Sequence, residues 1–119
     1  MPLNKRFNYP ISAGAGTVVY VLDTGIDINH TELIGRAQWG GTFITGQEAT
    51  DGDEAGHGTM VAASMAGRTV GVAKNATVIA VKILDSQGLG TTASTLRALS
   101  WVWNEVDSYK APQGQTIIK

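Results

Sequence analysis

The chain has 119 residues, of which 43% are hydrophobic and 16% charged, a composition typical of one folded domain rather than a disordered or fibrous segment. Its net charge of −1, without runs of Lys or Arg, argues against nucleic acid or an anionic membrane as a partner. No apolar run approaches the roughly 18 residues of a membrane-spanning helix, and the lack of cysteine leaves the redox compartment open.

The first half of the chain predicts two strands joined by glycine-bearing loops. Residues 1–16 mix polar residues with prolines and glycines, so we expect an irregular lead-in. Residues 17–22 are apolar without alternation, which is typical of a strand buried on both faces of a parallel sheet. After a loop with a short helical turn at residues 27–35, the segment 36–45 is a candidate for a second, short strand.

A helix and a third strand are predicted next. Residues 57–66 include several Ala and Ser residues, so a helix there could lie close against a sheet, and Gly67 is expected to end it. Residues 77–84 form another nearly unbroken β-branched run, which predicts a buried strand closed by a turn at residues 85–88.

Apolar residues recur at helical spacing near the end of the chain. Residues 92–109 predict an amphipathic helix whose apolar stripe contains Leu96, Leu99, Val102, Trp103 and Val106. Because residues two apart on a helix point to different faces, Trp101 and Trp103 should not form a ligand site together, and Trp103 should be the buried one. Pro112 and Gly114 are expected to stop this helix, and residues 115–119 to begin another strand. The alternation of strands and helices predicts an α/β fold, a parallel β-sheet flanked by helices.

Two residues with catalytic potential stand at the ends of these elements. Asp23 follows the first strand directly, at the sheet edge where ligands gather in parallel folds, although Asp before Thr24-Gly25 is also a common turn signal. His57 begins the first helix between Gly56 and Gly58, and a lone His at a helix start is often structural. Strand-end and helix-start placement predicts that the two side chains lie within hydrogen-bond reach of each other.

Five segments, taken together, resemble one enzyme family. The segment VLDTGID at residues 21–27 and the segment GHGT at residues 56–59 resemble the Asp and His motifs of the subtilisin-like serine proteases. Residues 71–76, 78–85 and 88–90 are similar to the branch that contains proteinase K and the fungal alkaline proteases. The order Asp then His is that of subtilisin, and the resemblance covers nearly the whole chain.

The resemblance implies a role for each matching residue. His57 would be the general base of an Asp-His-Ser triad, and Asp23 would orient it. Gly88, Leu89 and Gly90 would bind an extended peptide or protein substrate through main-chain hydrogen bonds. Residues 1–119 would then be the N-terminal portion of a secreted endopeptidase domain, with a sheet left incomplete at the edge that further strands cover in the family.

The nucleophile of that family has no counterpart in these residues. The Gly-Thr-Ser-Met-Ala signature and the oxyanion-hole Asn are both missing. Ser64 lies seven positions after His57 on the same predicted helix, roughly 10 Å along its axis, which is beyond hydrogen-bond reach. We therefore expect the chain to be inactive alone and a second segment or chain to supply the serine. The alternative is a truncated, nicked or pseudoenzyme chain that cleaves nothing unaided.

Other interpretations of the same residues involve different chemistry. Asp23-Thr24-Gly25 also matches the signature of a dimeric aspartic protease, but that fold is all-β and leaves the block around His57 unexplained. The acidic loop of residues 46–56 is expected to be solvated, and no transition-metal site is predicted from a single His, although calcium could bind its oxygen ligands. Its carboxylates belong to Glu48, Asp51, Asp53 and Glu54. Asn29 and Asn75 begin glycosylation sequons, usable only in a secreted chain.

Overall fold

The computed structural model describes residues 8–47, 50–113 and 117–118. Its strands form a single parallel sheet in the order β2-β3-β1-β4. The elements, in chain order, are β1 (Val18–Asp23), β2 (Ala37–Thr42), α1 (His57–Ala66), β3 (Thr77–Lys82), α2 (Thr92–Gln113) and β4 (Ile117–Ile118). The predicted α/β class, with helices flanking a parallel sheet, is confirmed.

The two central strands, β1 and β3, are buried on both faces because helices cover the sheet from either side. Side chains alternate along a strand, so successive residues enter different cores. One core joins the sheet to α1 and contains Val19, Val21, Val78, Ala80, Ala62 and Ala66. The other joins it to α2 and contains Tyr20, Ile79, Val81, Ala98 and Val102. The apolar runs without alternation in the sequence follow directly from this double burial.

The first helix has the bounds that the sequence predicts. Ala62 and Ala66, one turn apart, are completely buried, and such small side chains let α1 lie close to β1. The helix ends at Gly67, whose N–H donates to the carbonyl of Ala63 over 2.8 Å. Along β2 the register shifts between Trp39 and Gly41, which breaks the regular pairing with β3.

The predicted phase of the second helix is wrong. Trp103 is 58% exposed and the side chains of Leu96 and Leu99 are also exposed. Residues spaced by four face the sheet instead: Ser94, Ala98, Val102 and Val106. Trp101 is half-buried and packs against the rings of Tyr20 and Phe43. The small side chain of Ala98 lets α2 approach the sheet on this face, which a ranking by hydrophobicity alone does not reveal.

The end of the chain differs from the prediction in one respect. Helix α2 continues through Pro112 to Gln113, so proline does not stop it where expected. Strand β4 pairs in parallel with β1, Ile117 opposite Val18, and lies at one end of the described sheet. Residues 114–116 and 119, where the stop and the rest of the strand were predicted, lie outside the described residues. Within the described ranges, neither helix combines the length and apolar character needed to cross a bilayer.

Candidate active site

The parallel sheet brings Asp23 and His57 together at its carboxyl edge. Asp23 is the last residue of β1, and His57 is the first residue of α1. The Nδ1 atom of His57 lies 2.8 Å from Oδ1 and 2.9 Å from Oδ2 of Asp23. The predicted proximity of these two side chains is confirmed.

Asp23 is held in place from its own side of the contact. Asp23 is buried, and the backbone N–H of Thr24 donates to its Oδ1 over 2.7 Å. A buried carboxylate needs such donors, because an unpaired charge away from water is costly. The carboxylate therefore presents a fixed acceptor to the imidazole.

The imidazole of His57 is anchored at one nitrogen and open at its outer side. Its side chain is 58% exposed, against 13% for that of Asp23. The hydrogen bond that His57 donates to Asp23, and then the negative charge of Asp23, raise the pKa of His57 above its ordinary value. Desolvation opposes this shift in pKa, and the charge of Asp53 adds a smaller increase. When Nδ1 carries the proton donated to Asp23, neutral imidazole keeps its lone pair on Nε2, where it can accept a proton.

A cleft of about 400 Å³ opens beside this pair. Its lining residues come from two parts of the chain: Thr24, Ala55 and His57, and the segment that contains Leu84, Ser86, Gln87 and Gly88. Of the predicted substrate-binding residues, Gly88 therefore shares a cleft with His57. Leu89 and Gly90 line a neighbouring pocket of about 190 Å³ together with Asp85.

The loop that carries these glycines is built around Asp85. Its Oδ1 accepts from the N–H groups of Gln87 and Leu89, and its own N–H donates to the carbonyl of Leu89 over 2.8 Å. The N–H groups of Leu89 and Gln87 also hold the pKa of the Asp85 carboxyl below its ordinary value. Gly88 has a φ of +77°, a conformation that side chains disfavour, and a Cβ on Gly90 would lie 2.4 Å from the carbonyl oxygen of Ile83.

Comparison with known proteins identifies the relatives of this chain. Residues 14–118 match the sequence profile described as the Subtilase family. The chain belongs to the subtilase family.

Individual subtilases share a large part of its sequence. It is 51% identical over 99 residues to subtilisin-like protease 1 of Pseudogymnoascus destructans, covering 83% of this chain and 24% of that protein. It is 46% identical over 110 residues to subtilisin-like protease 3 of Trichophyton tonsurans, covering 92% of this chain and 27% of that protein. The chain thus spans about a quarter of the length of these fungal relatives.

The fold is similar to that of a solved subtilase. The crystal structure of a cold adapted subtilisin-like serine proteinase superposes with a TM-score of 0.78 at 36% sequence identity. The match covers 87% of this chain and 37% of that one. The parallel sheet and its helices are therefore a subtilisin-like fold, unlike the all-β fold that the aspartic-protease interpretation of Asp23 requires.

Two features that anchor the pair were missed by sequence reasoning. Asp53, assigned above to a solvated loop, is half-buried and accepts from the hydroxyl groups of Thr24 over 2.7 Å and Thr59 over 2.6 Å. Lys82 is 3% exposed, and its ammonium donates to the carbonyl of Thr24 and, over 3.3 Å, to that of Gly52. A signal for Asp53 was present: the residue before the helix is Gly56, which has no side chain to cap it, so a cap from elsewhere was needed.

The remaining candidates take ordinary structural positions. The hydroxyl of Ser64 donates to the carbonyl of Met60 over 2.9 Å, within α1. In the part of the chain that the structure describes, no three His, Cys, Asp or Glu side chains come together as a metal site, and Glu48 lies outside that part. The side-chain amide of Asn75 donates to the carbonyl of Ile11 over 2.9 Å.

Proposed function

We propose that this subtilase chain supplies the general base and the orienting carboxylate of a serine endopeptidase, together with one wall of its peptide cleft. The observation that carries the proposal is the contact of His57 Nδ1 with both carboxylate oxygens of Asp23, at 2.8 and 2.9 Å. The family and the fungal relatives support it, since the latter are named subtilisin-like proteases. The matches in residues 71–90 favour the proteinase K-like branch.

In this reaction His57 transfers the proton, and Asp23 orients His57 without taking up that proton. Nε2 of His57 accepts the proton of a serine hydroxyl as that oxygen attacks the peptide carbonyl, and later returns it to the leaving amine. Asp23 accepts a hydrogen bond from Nδ1, fixes the tautomer and stabilises the imidazolium. Burial of Asp23 favours this role, because its charge acts through a medium less polarisable than bulk water.

Substrate would lie along the wall formed by residues 88–90. Gly88 lines the cleft of His57, and Leu89 and Gly90 line the pocket beside it. An extended peptide could form main-chain hydrogen bonds with this segment, since glycines leave the backbone open to close approach. The substrate class is therefore an extended segment of peptide or protein. By analogy with the family, the enzyme would be secreted.

The serine, in this proposal, comes from another segment. The chain covers about a quarter of its curated relatives, and Ser64 belongs to α1. A chain without the nucleophile has no acyl-enzyme route, and loss of one oxyanion donor alone typically costs roughly 3–4 kcal/mol. We therefore expect the 119 residues alone to fold but not to cleave peptides. A non-catalytic role remains the alternative function for the isolated chain.

A chimera tests this function directly. This chain replaces the matching segment of subtilisin-like protease 3 of Trichophyton tonsurans, and peptide hydrolysis and labelling by a serine-directed phosphonate are measured. We expect activity, and we expect His57→Ala to lower kcat by a factor on the order of 10⁴ to 10⁶, the size found for triads of subtilisin type.

The matched control is His30→Ala, which removes an exposed histidine from a loop. It should leave kcat unchanged. Unimpaired hydrolysis by the His57→Ala chimera would contradict the proposed role of His57. Phosphonate-sensitive turnover by the purified 119-residue chain, with its mass confirmed, would contradict the need for a second segment.

A further inference from the structure

The first turn of α1 is held by residues from two other segments. The first N–H groups of any helix have no partner inside it. Here the N–H of Gly58 donates to Oγ1 of Thr24 over 2.9 Å, and the N–H groups of Gly56 and Thr59 each donate to Asp53 over 2.8 Å. Gly56, at the capping position, has a φ of +85° and no side chain to accept these bonds. Asp53 performs the function of a cap from three residues upstream.

Both carboxylate oxygens of Asp53 are engaged. Oδ1 accepts from the hydroxyl of Thr24 and the N–H of Gly56, at 2.7 and 2.8 Å. Oδ2 accepts from the N–H and the hydroxyl of Thr59, at 2.8 and 2.6 Å. Within the described residues this makes four hydrogen bonds that join the end of β1 to the start of α1. His57 is the helix residue between these anchors.

We propose that Asp53 is a positioning residue for His57, holding the first turn of α1 so that the imidazole meets the carboxylate of Asp23. The catalytic importance of this role rests on the proposed function. The role of Asp53 in holding His57 beside Asp23 can be tested in the 119-residue chain without any activity. Thr24 is the intermediate, since its backbone N–H binds Asp23 while its hydroxyl binds Asp53. One residue thus connects the carboxylate that orients His57 to the carboxylate that anchors its helix.

The charge state of Asp53 suits this role. Partial burial raises the pKa of its carboxyl, but the hydrogen bonds from Thr59, Thr24 and Gly56 outweigh burial, and the pKa lies below its ordinary value. Asp53 is therefore ionised at neutral pH, and a negative charge at a helix N-terminus is favourable. Among the described residues, the titratable groups near this corner include His57 from α1, Asp23 from β1 and Lys82 from β3.

Asp53→Asn tests the proposal because an amide group retains only one acceptor oxygen for four donors. The readout is the pH titration of the His57 ring in the 119-residue chain by NMR, under conditions where circular dichroism shows the variant folded. We expect the pKa of His57 to fall, because its hydrogen bond with Asp23 weakens. Asp51→Asn, which removes an exposed carboxylate from the same loop, is the matched control and should leave the titration nearly unchanged.

A double variant separates positioning from direct attraction between charges. If Asp53 acts through the contact of His57 with Asp23, then Asp53→Asn should shift the His57 titration much less in an Asp23→Asn background. An equal shift in both backgrounds would overturn the proposal, since it would show a direct electrostatic effect. If Asp53→Asn does not fold, Thr59→Val removes one of the four bonds and should lower the His57 pKa in the same direction; no change in that variant would also overturn it.

The chimera distinguishes failure of this inference from failure of the proposed function. In an active chimera, Asp53→Asn should lower kcat by roughly 10- to 100-fold with little change in KM, the cost of a slightly misplaced catalytic group. An unchanged kcat in that chimera would refute Asp53 as a positioning residue while leaving the function intact. The opposite result is an inactive chimera without substitutions, together with the expected fall of the His57 pKa on Asp53→Asn in the 119-residue chain. That result would refute the proposed function and leave the positioning role of Asp53 intact.

Discussion

Gly58 lies so close to Gly25 that a Cβ on Gly58 would come within 2.0 Å of the carbonyl oxygen of Gly25. No real Cβ contact is this short, so the first turn of α1 reaches the end of β1 only because residue 58 has no side chain. The approach of these two backbones places His57, one residue earlier, beside Asp23. The glycine after the histidine is therefore a requirement of the site.

Gly58→Ala should lower the stability of the fold and weaken the contact between His57 and Asp23. Alanine is normally favoured over glycine in a helix by about 1 kcal/mol, so a tolerant position would gain stability. Here we expect a loss of about 1–3 kcal/mol from overpacking, measured by urea unfolding. Ser64→Thr, which adds a methyl group on the exposed side of α1, is the control and should change little. Stabilisation by Gly58→Ala would mean that the two backbones are not in contact.

Lys82→Met should loosen the loop that precedes His57. The change keeps an apolar stem of similar length but leaves the carbonyls of Thr24 and Gly52 without their donor, at a cost of about 1–3 kcal/mol. Lys74→Met is matched to it, because Lys74 also donates to two carbonyls, those of Thr69 and Gly71, nearer to solvent. Urea unfolding should show the larger loss for Lys82→Met, and equal losses would argue against a special role for the buried ammonium.

The contact of His57 with Asp23 makes stability depend on pH in a defined direction. The pKa of His57 is raised from 6.5 by its hydrogen bond and charge interaction with Asp23, so the protonated form is favoured by folding. This contribution is present in full below pH 6.5 and is lost as pH rises through the folded pKa. Asp23→Asn should thus destabilise the chain more at pH 6 than at pH 8, whereas Asp107→Asn, on the exposed side of α2, should show no such dependence. If the loss of stability caused by Asp23→Asn is larger at pH 8 than at pH 6, the predicted direction of the pH dependence is wrong.

Sequence patterns predicted the sheet, the helix at residues 57–66 and the Asp23 and His57 pair, because each depends on local periodicity or on strand-end placement. They did not predict the anchors of the pair. Asp53 and Lys82 bind Thr24 from 29 and 58 positions away, and no local pattern encodes those two contacts. Only the missing side chain of Gly56 indicated that the start of α1 is capped from elsewhere. The phase of α2 failed for a related reason: either of two adjacent apolar stripes could face the sheet, and the shape of the sheet surface selects one.

The observed orientation of α2 predicts that replacing its two tryptophans with alanine lowers the free energy of unfolding by different amounts. Trp101→Ala removes a half-buried ring packed on Tyr20 and Phe43, and should cost about 3 kcal/mol. Trp103→Ala removes a ring that is 58% exposed, and should cost under about 1 kcal/mol. Thermal unfolding of the two variants compares them directly, and a larger loss for Trp103→Ala would restore the phase that the sequence suggested.

The protonation state of the His57 ring tests the central claim most directly. In a ¹⁵N-labelled chain held above the pKa of His57, NMR chemical shifts tell which ring nitrogen carries the proton. If Asp23 orients His57 as the base of a protease site, Nδ1 is protonated and donates to the carboxylate, while Nε2 keeps its lone pair. A proton on Nε2 with Nδ1 bare would contradict the account, because that ring could neither donate to Asp23 nor accept a proton from a nucleophile.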